Sequence, residues 1–510
     1  MSNDANNPEL SGARIPGHAV VSDDAGKAAG PAAVSLRPAY HLTVPEQWLN
    51  DPQRAIYVNG SFSLYYLYST TYYLPGEWRR VQSKDCVSFE DKGIAVPLDG
   101  DFAAWSGSAV VDTGDTAGFG AGTVIALVTQ PTDGDGHRQE QYLWYSHDGG
   151  ASFEPYGKPV IPNTTASDWF RDPKVAWDAK EGRWIAAIGC KHAVAFYESH
   201  NLKDWRELPP FTYEGQNIGG AECPDLFEMR ADDGTSHWVL GISVQGTLAG
   251  KVNTYAYWTG SWQGGRFLAD DPEPQWLDYG WDWYAAVTWE DPDDPGQRYG
   301  MGWMNNWDYA ARSVPSDASD GFNGMMSLVR QIRLHAHDGR RYTLRSRPVD
   351  ALERYVSDRL EIPDVLVRAG DGIDEGIRLP FCARSYRMDA CISMKSAQGA
   401  SIRIGESADG SRYTEFGVDS QGFYLDRTHA ELEHFLFAPH LITRSPLPPD
   451  AVDVRVTVLV DTQSVEVFVN DGECVHSDQV YFQQGDTGVS VHAQSGEAYF
   501  GAISFSTIAV

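Results

Sequence analysis

Two short motifs recur along this chain out of phase with each other, and together they restrict its fold more than any other feature. Ser-x-Asp or Ser-x-Asn followed by an aromatic occurs as SKDCVSF at 83–89, SHDGGASF at 146–153 and SHNLKDW at 199–205. A second, polar series runs WLNDP near 51, WSGS near 106, FRDP near 172, AECPD near 222 and WDWYA near 283, at spacings of about 50 to 67 residues. Such a period suits four-stranded propeller blades and is too long for the turns of a solenoid. Between the motifs lie short β-branched and aromatic runs, among them SFSLYYLYS, GTVIALVTQ, RWIAAIGC and HWVLGISV, bounded by Gly, Asp, Asn and Pro. That texture predicts an all-β protein.

Five blades account for residues 37 to about 345. Beyond them, VDVRVTVLVD, SVEVFVN and AYFGAISFS alternate in the manner of a two-sheet sandwich, so residues 346–510 are expected to form a linker and a β-sandwich domain. The boundary is placed near 345–360, where RSRPVDALERYVSDRL has a short helical flavour. Residues 1–36, rich in Ala, Gly, Pro, Asn and Asp, carry no hydrophobic periodicity and read as a disordered arm.

Charge narrows the partners. With 70 acidic against 40 basic side chains the formal charge is −30, which repels phosphate backbones and anionic membranes. Nucleic acid and membrane are therefore excluded as partners, and a chain with 17 Trp and 25 Tyr suits neutral sugars, whose apolar faces lie against rings. Six cysteines (Cys86, Cys190, Cys223, Cys382, Cys391, Cys474) without a CxxC pair indicate neither a disulfide framework nor a metal site. No apolar run approaches the ~20 residues of a membrane span, and the first 36 residues lack the basic start and apolar core of a signal peptide. The protein is expected to stay inside the cell, or to be extracellular after loss of a leader.

Three of the polar motifs set a carboxylate beside proline at the start of separate blades: Asp51 in WLNDPQR, Asp172 in WFRDPKVAW and Glu222 in GGAECPDLF. Inner strands of a propeller converge on one channel, so these groups can share a site. Crowding and lost hydration there raise at least one carboxyl pKa. Glycoside cleavage needs such a pair, one acid to protonate the departing oxygen and one anion to attack; a separation of about 5 to 5.5 Å selects retention. Taken singly, an Asp before Pro is more often a turn-former.

At these residues the sequence resembles glycoside hydrolase family 32, the invertase, inulinase and levanase family. WLNDPQR matches its nucleophile box, FRDPKVAW its RDP box and AECPDLF its EC box, and RPAYHLTVPEQWLNDP, WSGSAVVD, WLDYGWDWYAA, GWMNNW and DTQSVEVFVNDG extend the likeness over residues 37–510. The resemblance implies a five-bladed β-propeller followed by a β-sandwich, and a retaining mechanism without metal or cofactor. It implies Asp51 as nucleophile, Glu222 as general acid/base and Asp172 as the group that holds fructose hydroxyls and stabilises the transition state. Trp48, Asn50, Trp105, Ser106, Arg171 and Trp303 fall where the family lines its fructose pocket, with core packing the alternative for the tryptophans and a bridge between blades the alternative for Arg171. Cys223 reads as a small buried residue beside the acid/base.

Two departures bear on specificity. The first box continues Asp-Pro-Gln-Arg where the family usually has Asp-Pro-Asn-Gly, and Leu67 stands where a glutamine is usual, so Gln53, Arg54 and Leu67 mark the place of substrate and acceptor choice. With QPTDG, YAYWTG and DASDGFNG they make the chain look closest to actinobacterial levan fructotransferases and transfructosylating β-fructofuranosidases. The favoured reading is a β-fructofuranosidase that cleaves terminal fructosyl units from sucrose or related fructosides and passes them to water or a sugar. Sucrose, fructo-oligosaccharide or levan is the expected substrate. A levan fructotransferase releasing difructose dianhydride is the alternative. A non-catalytic fructan-binding propeller and an inverting, arabinan-cleaving relative are disfavoured by the three carboxylates and by the nucleophile box with its C-terminal sandwich.

Overall fold

The structure is a computed structural model that describes residues 35–71, 76–98, 100, 103–132, 138–165, 167–213, 215–310, 314–337, 341–430, 441–448 and 453–510. The arm expected over 1–36 therefore lies outside the described residues, apart from Ser35 and Leu36, which bond to the Asp320 carboxylate at 2.5 and 2.8 Å.

Five antiparallel sheets stand in a ring, as the period of the polar motifs predicts. Their innermost strands are Gln47–Val58, Gly107–Asp112, Arg171–Asp178, Gly220–Arg230 and Tyr284–Glu290, and each blade winds outward through three further strands. The strand runs are apolar almost throughout because both faces of a blade are covered. In RWIAAIGC, Ile185 and Ala187 pack toward the fourth blade, while Trp184, Ala186 and Ile188 pack toward the second. A side-chain period of two thus feeds two interfaces from one strand. Equivalent clusters fill the first-to-second and fourth-to-fifth interfaces. The ring closes where Phe322–Asn323, a short strand from the fifth blade's loop, pairs in parallel with Gln47 and Trp48.

The Ser-x-Asp/Asn motif is the turn between the third and fourth strands of the first three blades. Ser83 Oγ accepts from the Cys86 amide at 2.8 Å, Ser146 Oγ from that of Gly150 at 2.9 Å, and Asn201 Oδ1 from that of Asp204 at 2.8 Å. Cys86, Gly149 and Leu202 share a left-handed conformation at the corresponding position, with φ of 61°, 75° and 61°. These side chains satisfy amides that a tight turn leaves without a ladder partner.

After the fifth blade's last strand, Arg341–Pro348, comes a short 3₁₀ helix, Asp350–Tyr355, and then the C-terminal strands. The sandwich is organised on Gly488–Ile508, a bent strand that pairs with Val356–Ile362, Val365–Cys382, Tyr386–Ser393 and Gly399–Glu406. Its core, including Met388, Ile402, Phe416, Val458, Val467 and Phe500, is separate from those of the propeller.

The joint between the two parts combines an apolar seam, where Leu459, Phe468 and Val475 join the propeller's core, with fully buried ion pairs. His41 lies between Asp461 at 2.9 Å and Glu466 at 3.0 Å, and Arg330 between Asp278 and Glu466, both at 2.7 Å. Arg427 meets Asp282 at 3.1 Å. Burial alone would lower the His41 pKa, but the two carboxylates override it and lift it to about 9.

Candidate active site

The motif carboxylates converge because four inner strands break register near the same end of the channel. In the third, fourth and fifth blades one extra residue is inserted: Arg171 to Lys174 oppose Gly189 to Ala187, Glu222 to Asp225 oppose Ser243 to Gly241, and Tyr284 to Val287 oppose Trp303 to Met301. In the first blade, Asp51 is the inserted residue between Asn50 and Pro52. A bulge of this kind bends the strand and re-aims a side chain. Proline is tolerated there because no ladder hydrogen bond is lost, which explains Pro52, Pro173 and Pro224 inside central strands. Asp172, Cys223 and Ala285 hold the matching positive φ of 62°, 46° and 49°.

The bulges stack into tiers that cross the blades. Arg171, Glu222 and Tyr284 occupy equivalent positions and bond to one another: Arg171 Nε and Nη2 donate to Glu222 Oε1 at 2.9 and 2.6 Å, and the Tyr284 hydroxyl donates to Oε2. Gln245 Nε2 adds a bond to Oε2 at 2.9 Å. Next come Asp172 and Cys223, whose amide donates to Asp172 Oδ2 at 3.1 Å. Deeper still, Lys174 of the third blade is ion-paired with Asp225 of the fourth.

Asp51 completes the group from the first blade. Ser106 Oγ donates to its Oδ2 at 2.6 Å and Asn50 Nδ2 to its Oδ1 at 3.0 Å, and Trp48 Nε1 fixes Asn50 through a 2.8 Å bond. Burial pushes the Asp51 carboxyl up, the bonds from Ser106 and Asn50 oppose that, and the Glu222 charge adds to it. Asp172 is pushed to about 7 by burial, with Arg171 pulling down and Glu222 and Asp51 pushing up. Burial and the Glu222 charge hold the Tyr284 hydroxyl well above its usual range, so it stays a donor. The Cys223 thiol is likewise pushed up by burial and by all three carboxylates, and it remains a neutral packing group.

The other residues singled out in the sequence are placed as follows. Trp303 is buried edge-on to Trp48, with ring centroids 5.9 Å apart. Trp105 is half-buried beside Ser106, and its carbonyl accepts from Trp78 at 2.9 Å. Gln53 is wholly buried behind Asp51: its Nε2 donates to the Asp51 carbonyl at 2.9 Å, and its Oε1 accepts from the Gly107 amide at 2.7 Å. Arg54 turns down the channel to the Val175 carbonyl at 2.8 Å and to Glu290. Leu67 pairs with Asn50 in the ladder, yet its side chain joins the apolar cluster between the first and second blades.

Sequence reasoning passed over Tyr284, Gln245 and Trp169. Trp169 is half-buried and lies under Arg171, whose guanidinium carbon is 4.1 Å from the ring centroid. Tyr284 stands inside the WDWYA recurrence, so aligning the bulged segments would have found it; Gln245 belongs to no motif. The assembled mouth offers one carboxyl held by two neutral donors, a second held by three donors, and a third whose charge changes near neutrality. Such a set can attack an acetal carbon and protonate its leaving group.

Comparison with known proteins gives a consistent result. Residues 41–348 match the model for the glycosyl hydrolases family 32 N-terminal domain and residues 370–509 that for the family's C-terminal domain. A levanbiose-producing levanase of Bacillus subtilis (strain 168) is 42% identical over 475 residues, covering 91% of this chain and 89% of the relative. One from Geobacillus stearothermophilus is 45% identical over 384 residues, covering 73% and 93%. Among solved structures, the exo-inulinase from Aspergillus awamori superposes with a TM-score of 0.82 at 25% identity, covering 94% of this chain and 99% of that one.

Proposed function

The chain belongs to glycosyl hydrolase family 32 and is a glycoside hydrolase of fructosides; from that premise we propose that it hydrolyses levan with retention, Asp51 attacking and Glu222 moving the proton. In this reading Asp51 bonds to the anomeric carbon C2 of a fructosyl unit as the C2–O bond to the leaving sugar breaks. Glu222 gives its proton to that oxygen. It then takes one from water, whose oxygen displaces Asp51. Asp172, beside both, accepts hydrogen bonds from fructose hydroxyls and counters the positive charge that develops on the ring.

The observation that carries the mechanism is the shared tier of bulges. It brings Asp51, held by Ser106 and Asn50, to the same mouth as Asp172 and Glu222, close enough that the Glu222 charge acts on both of the others. The substrate rests on the two levanbiose-producing relatives, at 42% and 45% identity. They favour levan over the sucrose-acting enzyme that the sequence alone favoured. Transfer to a sugar acceptor is the second reading, favoured by those same departures.

Incubation with levan, sucrose and inulin separately, followed by identification of every product, tests this. Levanbiose or fructose from levan, faster than from the other two, is expected. Difructose dianhydride from levan, or transfer oligosaccharides from sucrose as the main products, would overturn it.

A further inference from the structure

A cavity opens at the other mouth of the channel. It holds about 860 Å³ and is lined by the far halves of all five inner strands, including Arg54 to Tyr57, Ala176 to Asp178 and Trp289 to Glu290. Trp177 is five residues beyond Asp172 on its strand, roughly 15 Å away at the usual rise per residue. The Lys174–Asp225 ion pair stands between the two mouths. This is a separate compartment from the carboxylate pocket.

Its walls have the composition of a sugar site. Trp177 and Tyr57 are 45% and 46% exposed, and no other tryptophan is as open to solvent as Trp177. Trp177 is held by an edge contact with buried Trp184 at 4.9 Å, so its free face is presented rather than mobile. Around these rings the wall is polar, with Arg54, Asp178, Arg183, Glu228, Glu290 and Arg298 lining the same cavity. Exposed rings set among hydrogen-bonding side chains suit a ligand rich in hydroxyls. Charges of both signs, Arg54 and Arg298 about Glu290, leave no net field to select an anion.

We infer that this second mouth is a non-catalytic binding site for a neutral fructan segment, with Trp177 and Tyr57 as stacking platforms. The choice of fructan rests on the proposed levan-hydrolysing function. A polymer bound there keeps the enzyme on its substrate between cleavages at the other mouth, because tethering raises the local concentration of chain ends.

The test uses the Asp51→Asn protein, so that the polymer is not consumed, run through native gels with and without levan. Adding Trp177→Ala, or Trp177→Ala with Tyr57→Ala, is expected to weaken levan-dependent retardation about tenfold, with mobility in plain gels unchanged; Trp177→Phe should retain most of it. Equal retardation of parent and alanine variants, with unchanged melting curves, would overturn the inference. So would stronger retardation by inulin than by levan. Failure of the function itself is read separately, from the products of the unmutated enzyme.

Discussion

The hydroxyl of Ser106 lies 2.6 Å from Oδ2 of Asp51 and opposes the rise in carboxyl pKa that burial causes. Ser106 comes from the second blade, so the ionisation of a first-blade residue is set by its neighbour. Ser106→Ala removes a bond to the charged form, worth about 1.5 kcal/mol or more, which is about one pH unit. The acid limb of kcat/KM should move up by that much, with little change on the alkaline side. An unmoved acid limb would separate Asp51 from the attacking role.

Glu222 is expected to matter in proportion to how poor the leaving group is. Glu222→Gln should slow levan cleavage by about 10²–10⁴-fold, and should slow far less the first step on a fructoside that departs without a proton. Equal losses on the two substrates would remove the acid role. Asp51→Asn should abolish turnover of both.

Gln53 reaches no free surface, so its effect should fall on placement. Gln53→Leu leaves the Gly107 amide without its acceptor and frees the turn that carries Ser106, at a cost of about 1–3 kcal/mol. We expect kcat to fall while KM on levan changes little, with partial recovery in Gln53→Glu. A change confined to KM would make Gln53 a substrate contact.

His41 ties the propeller to the sandwich through Asp461 and Glu466. Its folded pKa of about 9 lies above the ordinary histidine value near 6.5. The stabilisation is therefore complete below about pH 6.5 and lost as pH rises through about 9. Glu466 is a separate case: burial would raise it, but Arg330 and His41 bring it down to about 2, so its contribution is lost only toward that pH. His41→Gln leaves Asp461 without its cationic partner and Glu466 with Arg330 alone, costing about 3 kcal/mol at pH 6. Denaturant titrations should show the gap closing between pH 6.5 and 9; a gap independent of pH would refute the assignment.

The blades were legible because the Ser-x-Asp/Asn turn and the carboxylate–proline motif repeat at blade length, and both are imposed by local backbone geometry. Asp51, Asp172 and Glu222 carried a second signal, proline inside a strand, that marks a bulge. Tyr284 does the same geometric work with Ala285 and Ala286 after it, and without a carboxylate or proline as signature it was not singled out. Gln245 reaches Glu222 from the second strand of its blade, a relation created only by ladder register. The direction of a side chain is equally hidden. Gln53 and Leu67 adjoin Asp51 in sequence or ladder, yet one turns behind it and the other into the interface between blades.

The tier of left-handed residues at Asp172, Cys223 and Ala285 bears on how sturdy this enzyme can be. Side chains other than glycine are costly there, and Asp172 must also lose its charge or endure burial beside two more carboxylates. A carboxyl held near pKa 7 in the folded chain and near 4 in the unfolded one favours folding at low pH and opposes it as pH rises through that interval. Asp172→Asn should consequently melt at a higher temperature than the parent at pH 8, with the advantage fading toward pH 4 in calorimetric scans. If Asp172 has the proposed role, catalytic competence and resistance to heat are opposed at a single residue, and selection for a hardier protein would erode the active site first.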